Sequence, residues 1–96
     1  MKKRLQAKGT IQRDATISTA TDIPTTDADL IILQPLTNDV YITFDGSTPT
    51  TTNGFLLKKD GIYEHELHSS NSIKVIEATA SAEIRWQLFV NNSTAE

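Results

Sequence analysis

Residues 40–90 decide the fold of this chain, and they read VYITFDGSTPTTTNGFLLKKDGIYEHELHSSNSIKVIEATASAEIRWQLFV. Short runs rich in Val, Ile, Tyr, Phe and Trp alternate with polar residues, and clusters of Gly, Pro, Asn, Asp and Ser separate these runs. This punctuation is typical of short antiparallel strands joined by turns. The pattern predicts an all-β fold, a small antiparallel β-sandwich or barrel-like domain of about seven strands.

The core anchors follow from the alternation within single strands. Every second residue from position 84 to position 90 is apolar, so that side of the last strand is predicted to face the core. The strand at 40–44 alternates in the same way. The predicted core anchors are Phe44, Ile84, Trp86 and Leu88. Trp86 is predicted to contribute most, because burial of a large aromatic side chain removes much apolar surface from water.

Turn residues predict how consecutive strands connect. Asn38-Asp39 separates the apolar run at 30–36 from the strand at 40–44, which predicts a hairpin. Lys59-Asp60-Gly61 predicts a second reversal of the chain after the short strand at 55–58. Residues 19–29 are rich in Thr and Asp and are predicted to form a loop.

The chain of 96 residues suits one domain. We predict a basic N-terminal arm over residues 1–9, a β-sandwich over 10–90 and a flexible tail over 91–96. Within the sandwich, Thr10–Ser18 has a weak period of two and is predicted to form an edge strand. The net charge is −3, but the first segment is basic. Its cationic residues are Lys2, Lys3, Arg4, Lys8 and Arg13.

Composition excludes several classes of function. There is no cysteine, so neither a disulfide framework nor a thiolate metal site is expected. A pI near 5.3 argues against a general nucleic-acid-binding protein. The longest apolar run, Leu30–Leu33, is far shorter than the roughly 20 residues that span a bilayer, so no membrane partner is expected. The basic start lacks the apolar segment of a signal peptide, which predicts synthesis in a cytoplasm.

The motif HELH at 65–68 is the most conspicuous candidate for chemistry. Zinc proteases place two histidines four residues apart on a helix, whereas His65 and His68 are three apart in a predicted strand. They would project to opposite faces, so they are not expected to share a metal ion within one monomer. A symmetric oligomer could still bring copies of either histidine together. No nucleophile motif is present either, so we predict a protein that is not an enzyme and needs no cofactor.

The longest irregular connection, Asp45–Gly54, contains two glycines, a proline and several threonines. Long exposed loops often carry contacts, so this loop is a candidate contact surface, although an ordinary long turn explains it as well. The residues predicted to be exposed for contact are Asp45, Ser47, Thr48, Pro49, Thr50 and Asn53.

About half of the chain resembles small structural proteins of tailed bacteriophage virions. Those proteins share a strand that ends in F/V-D-G, a T-P-T loop closed by N-G, an apolar G-F-x-L strand, an I-x-x-I strand and a final alternating strand. The matching positions are Phe44, Asp45, Gly46, Thr48, Pro49, Thr50, Asn53, Gly54, Phe55, Leu57, Ile73, Ile76, Ile84, Trp86 and Leu88.

The resemblance implies a virion location and a capsid decoration (cement) protein that bridges and stabilises major capsid subunits. Such a protein would work as a homo-oligomer, for example a trimer, and the basic arm Lys2–Lys8 with the strand Thr10–Ser18 would meet the capsid. Two alternatives remain. One is a head–tail connector or tail-associated protein that forms rings, and the other is a β module that binds host glycans through Tyr41, Tyr63 or the loop Asp45–Gly54.

Overall fold

The structure is a computed structural model of the chain, and it describes residues 5–25, 27–67 and 72–91. All the regular secondary structure in these ranges is β-strand, which confirms the all-β prediction. No helix in the described ranges is long and apolar enough to cross a membrane. The strands are β1 (Leu5–Asp14), β2 (Thr21–Ile23), β3 (Leu30–Leu36), β4 (Val40–Thr43), β5 (Phe55–Leu57), β6 (Tyr63–Glu66), β7 (Ile73–Glu77) and β8 (Glu83–Asn91).

The strands form two antiparallel sheets of four. Sheet A has the order β1-β8-β3-β6, and sheet B has the order β2-β7-β4-β5. The chain passes from one sheet to the other at every connection except that between β4 and β5. Eight strands joined in this way form a jelly roll, a double-sheet sandwich in which strands distant in sequence become neighbours.

The core lies between the two sheets. Strands β3 and β8 contribute the buried residues Ile31, Leu33, Ile84 and Trp86 from sheet A, and β4 and β7 contribute apolar residues from sheet B. Of the predicted anchors, Ile84 is fully buried and Trp86 is 8% exposed. Phe44 and Leu88 are partly buried and pack against the edge of this cluster.

The hairpin predicted at Asn38-Asp39 is wrong, because β3 and β4 lie in opposite sheets. Lys59-Asp60-Gly61 forms the predicted turn, with the Gly61 N–H donating to the Lys58 carbonyl at 3.1 Å, but β5 and β6 also lie in opposite sheets. The two turns instead lie side by side and bond to each other. The Asp39 carboxylate accepts a hydrogen bond from the Lys59 N–H at 2.7 Å. The Asp60 N–H donates to the Pro35 carbonyl at 2.8 Å. Turn residues reverse the chain, but long-range contacts such as these determine which sheet it enters.

Strand β1 begins at Leu5, so residues 5–9 belong to the sheet rather than to a separate arm. It ends at Asp14 rather than at Ser18. The Asp14 carboxylate accepts hydrogen bonds from the Thr16 N–H at 2.8 Å and the Thr16 hydroxyl at 2.7 Å. This turn stops the strand and directs Ile17 into the core, where it is fully buried. Residues 1–4 of the predicted arm lie outside the described residues.

Two further boundaries differ from the prediction. Residues 21–23, predicted as part of a loop, form β2 and pair with β7. A strand of three residues is too short to show a period of two in sequence. Asn91, predicted to start the tail, ends β8, and its N–H donates to the Asp29 carboxylate at 2.6 Å. Residues 92–96 lie outside the described residues.

Asp39→Asn is expected to reduce the loss of stability in acid. The hydrogen bond from the Lys59 N–H lowers the pKa of Asp39, and partial burial opposes this shift. The Lys58 ammonium at 3.4 Å lowers the pKa further. A carboxyl group with a lowered folded pKa contributes stability above its unfolded pKa, and this contribution disappears as the pH falls through the folded pKa. At pH values below about 4, the unfolding free energy of the wild type should therefore decrease, and that of the variant should decrease less.

Urea denaturation between neutral pH and about pH 3 measures this effect. Asp22→Asn is the matched control, because Asp22 is exposed in β2 and lies 4.0 Å from Lys74 with no backbone bond of this kind. Parallel pH profiles for wild type and Asp39→Asn would show that the bond to Lys59 does not contribute.

Candidate interaction surfaces

Strand β1 is the longest open edge of the sandwich. It has 10 residues, whereas the other edge strands β6, β2 and β5 have 4, 3 and 3. One side of its backbone pairs with β8 from Leu5 to Asp14, and no described strand lies on its other side. Nine of its ten residues are exposed. A long exposed edge strand is a template for pairing with another chain.

The structure places two of the predicted basic residues on this edge strand. Lys8 and Arg13 both belong to β1, whereas Lys2, Lys3 and Arg4 lie outside the described residues. Arg13 Nε donates to Glu83 Oε2 at 2.6 Å, so its charge is neutralised by the neighbouring strand. The register shifts between Lys8 and Gln12, a β-bulge that divides the strand into two halves.

The loop that follows β4 is held by its own hydrogen bonds. Asp45 Oδ1 accepts from the Ser47 hydroxyl at 2.6 Å and the Ser47 N–H at 3.0 Å, and these bonds lower the pKa of Asp45. The buried Thr43 hydroxyl donates to the Ser47 carbonyl at 2.5 Å. Asn53 Nδ2 donates to the Ser47 hydroxyl at 3.0 Å and to the Thr48 carbonyl at 2.9 Å. The loop therefore has a fixed shape.

This loop exposes fewer contact residues than predicted. Asp45, Thr48, Thr50 and Asn53 are exposed and Ser47 is partly buried. The prediction was wrong for Pro49, which is fully buried. Proline has no N–H, so its burial leaves no donor without a partner.

Beside the loop lies an aromatic pair that the sequence analysis did not identify as a surface feature. Phe55 begins β5 and is 65% exposed. Its ring centroid lies 6.1 Å from that of Phe44, and the two rings border an open cavity of about 320 Å³ with Asp45 and Asn53. Phe44 also stacks on His65, with ring centroids 4.0 Å apart. His65 therefore serves as a packing partner, while His68 lies outside the described residues.

Metal-ligating side chains do not cluster in the described ranges. No group of three or more His, Asp or Glu residues there is arranged to hold an ion. The described surfaces thus consist of sheet edges, a rigid loop and sheet faces.

A second cavity lies on the outer face of sheet A, the side turned away from the core. Its volume is about 160 Å³, and it is lined by residues of β1, β3 and β8 and by Ile62, which precedes β6. Two of its lining residues, Ile11 and Ile62, are 55% and 72% exposed. Arg85 of β8 lies between them. Alternation along β8 places Arg85 outward, but the sequence offered no signal for the cavity itself.

Comparison with known protein families and with curated protein sequences finds no match. The fold is similar to a solved structure from Bacillus, described as endospore appendages that form a novel family of disulfide-linked pili. The TM-score is 0.51 and the identity 16%, over 97% of this chain and 93% of that chain. At this identity the likeness concerns the fold. The present chain has no cysteine with which to form such disulfide links.

Proposed function

We propose that this protein is a non-enzymatic structural protein of a tailed bacteriophage virion, a decoration protein that bridges and stabilises major capsid subunits. The observation that carries the proposal is the long open edge of β1, exposed at nine of its ten residues. The fold likeness to a pilus protein supports a structural role in general. The resemblance of the sequence to phage structural proteins supports the virion assignment, and three of its motif residues, Phe44, Asp45 and Asn53, lie together beside β5.

Strand addition is the proposed mode of contact. A capsid segment that pairs with the free side of β1 would extend sheet A, and main-chain hydrogen bonds would supply the affinity. Each such bond contributes only about 0.5–1.5 kcal/mol net, so a single site would bind weakly. Many copies on one shell, or a homo-oligomer such as a trimer, would raise the overall avidity. The basic N-terminal segment would attract an acidic capsid surface and speed the encounter.

Deletion of residues 1–9 is expected to abolish binding to particles that lack the protein while the sandwich stays folded. The part of β1 that it removes, residues 5–9, is exposed at every position, so the deletion removes little buried surface. Co-sedimentation measures binding, and circular dichroism with thermal unfolding verifies the fold. Deletion of residues 92–96 at the other terminus is the control and should bind normally. Undiminished binding by the folded N-terminal deletion would refute the β1 contact.

A second candidate is the ring-forming head–tail or tail component. Sheet A has two open edges in the described part of the chain, β1 and β6, so one copy could add its β1 to β6 of the next. Such head-to-tail contacts close into rings or continue as filaments. Quantitative mass spectrometry of purified virions separates the candidates. Hundreds of copies would support decoration, and about a dozen would support a joint or tail component.

A further inference from the structure

We propose that the outer face of sheet A is a contact between two copies of this chain, in which Arg85 of one copy meets Glu64 of the other. The contact joins sheet faces rather than strand edges. It is therefore separate from the β1 contact in the proposed function and can stand if that function fails.

The register defines which side chains share this face. Ile84 and Trp86 point into the core, so Arg85 between them points outward. Residues paired on neighbouring antiparallel strands project to the same face. Arg85 pairs with Arg13 on one side and with Gln34 on the other.

The next row of the same face begins with Gln87 on β8. Gln87 pairs with Ile32, and Ile32 pairs with Glu64. The alternation along β6 also places Glu64 on the outer face. Its neighbours Tyr63 and His65 point inward, Tyr63 against the core and His65 against Phe44. Glu64 is exposed on the outer face.

An apolar stripe crosses this face. Ile11 on the β1 side and Ile62 on the β6 side are strongly exposed, and Ile32 lies between them along the same cavity. A single exposed isoleucine is ordinary on a protein surface. Three that line one cavity, surrounded by polar residues, are typical of an interaction site.

Arg85 supplies an independent sign that something covers this cavity. Its Nε is buried, yet no described residue offers it a hydrogen-bond acceptor. A buried donor without a partner costs stability, and native proteins rarely keep one. The carboxylate of Glu83, on the same strand, is already bound to Arg13. Arg85 also forms no ion pair with a described residue, so an acidic group of a second molecule can bind its guanidinium group where Arg85 lines the cavity.

Charge on the face selects a second copy as that molecule. Arg85 lies on the β1–β8 half, where Arg13 is already paired with Glu83, and the acidic residue Glu64 lies on the β6 half. Glu64 forms no ion pair with any described residue. A two-fold axis that runs along the strands between β8 and β3 would place the β6 half of one copy over the β1–β8 half of the other. The face is thus complementary to itself, as a symmetric dimer requires.

Charge reversal tests the proposal in sedimentation velocity runs over a range of concentrations. Wild type should form a dimer as concentration rises, and Arg85→Glu or Glu64→Arg alone should weaken it at least about tenfold. The double variant Arg85→Glu/Glu64→Arg should restore the dimer, because it exchanges the two charges. Asp22→Lys on sheet B is the control and should leave the dimer unchanged.

Cysteine cross-linking provides a second measurement that needs no change in charge. The chain has no native cysteine, so Ile11→Cys and Ile62→Cys can each be made as a single-thiol protein. Both sites are exposed, and the variants should stay folded. When the two are mixed with a short bis-maleimide, the cross-linked pair should form faster than a pair made with Thr79→Cys, which lies in an exposed turn.

The proposal fails if wild type remains monomeric at every concentration, or if the folded double variant does not recover association. It also fails if the mixed cysteine pair reacts no faster than the Thr79→Cys control. Loss of particle binding by Arg85→Glu in a protein that is always monomeric would assign the cavity to a different partner and would likewise overturn it.

Discussion

Replacement of Trp86 by alanine is expected to lower the free energy of unfolding by about 3–5 kcal/mol. Trp86 lies in β8, which pairs with both β1 and β3, and its side chain is 8% exposed. Leu33 stands opposite on β3 and is fully buried. Truncation would lose the burial of the ring and leave a cavity where two sheets meet. Domains are commonly stable by only about 5–15 kcal/mol, so the variant should be close to unfolding at 25 °C.

Urea denaturation followed by circular dichroism measures the Trp86→Ala effect. Ile62→Ala is the matched control, because Ile62 is 72% exposed and its truncation should change stability by less than about 0.5 kcal/mol in the monomer. A loss below about 1 kcal/mol for Trp86→Ala would show that the ring does not anchor the core.

Gly54→Ala is expected to cost about 2–3 kcal/mol. Gly54 has φ of 129°, a region that side chains avoid. A Cβ there would lie 2.7 Å from the Ile42 carbonyl oxygen, inside the β4–β5 ladder. The clashing atom belongs to the backbone and not to a flexible side chain. The backbone of β4 or of Gly54 would therefore have to move.

Gly9→Ala is the control for Gly54→Ala. Gly9 also has a positive φ, of 77°, but a Cβ there would meet no atom within 4 Å. Its substitution should cost only the backbone penalty of about 1–2 kcal/mol. Equal losses for the two variants in thermal or urea unfolding would show that the approach of Gly54 to Ile42 adds no strain.

The positions of most strands could be predicted from local alternation. β8 and β4 show a period of two with an apolar side, and burial follows that period at Ile84 and Trp86. The period of two reflects the geometry of a single strand with one buried face, so it does not depend on which strands lie beside it. This is why the all-β sandwich could be predicted without knowledge of its topology.

The assignment of strands to sheets could not be predicted from the turns. Asn38-Asp39 has the chemistry of a hairpin, yet Asp39 bonds to Lys59, 20 residues away, and the chain crosses to the other sheet. The prediction began the first strand at Thr10 instead of Leu5, because residues 5–9 have no buried side chain and so show no apolar alternation. Their strand conformation comes from pairing with β8, a contact distant in sequence.

The candidate surfaces were predicted only in part, for a similar reason. Lys8 and Arg13 were identified from charge and do lie on an open edge. Phe55 and Ile62 were not identified as surface residues, because an apolar residue beside a strand is expected to be buried. Their exposure, like the cavity around Arg85, follows from the relative placement of strands that local sequence does not encode.

The central claim is that this protein acts by clamping a partner to the open edge of β1. Hydrogen–deuterium exchange of free and particle-bound protein tests it most directly, because strand addition would protect backbone amides along that edge. We expect exchange over residues 5–14 to slow by about tenfold or more on binding. Unchanged exchange in β1, with protection confined to the loop at 45–54, would contradict the claim.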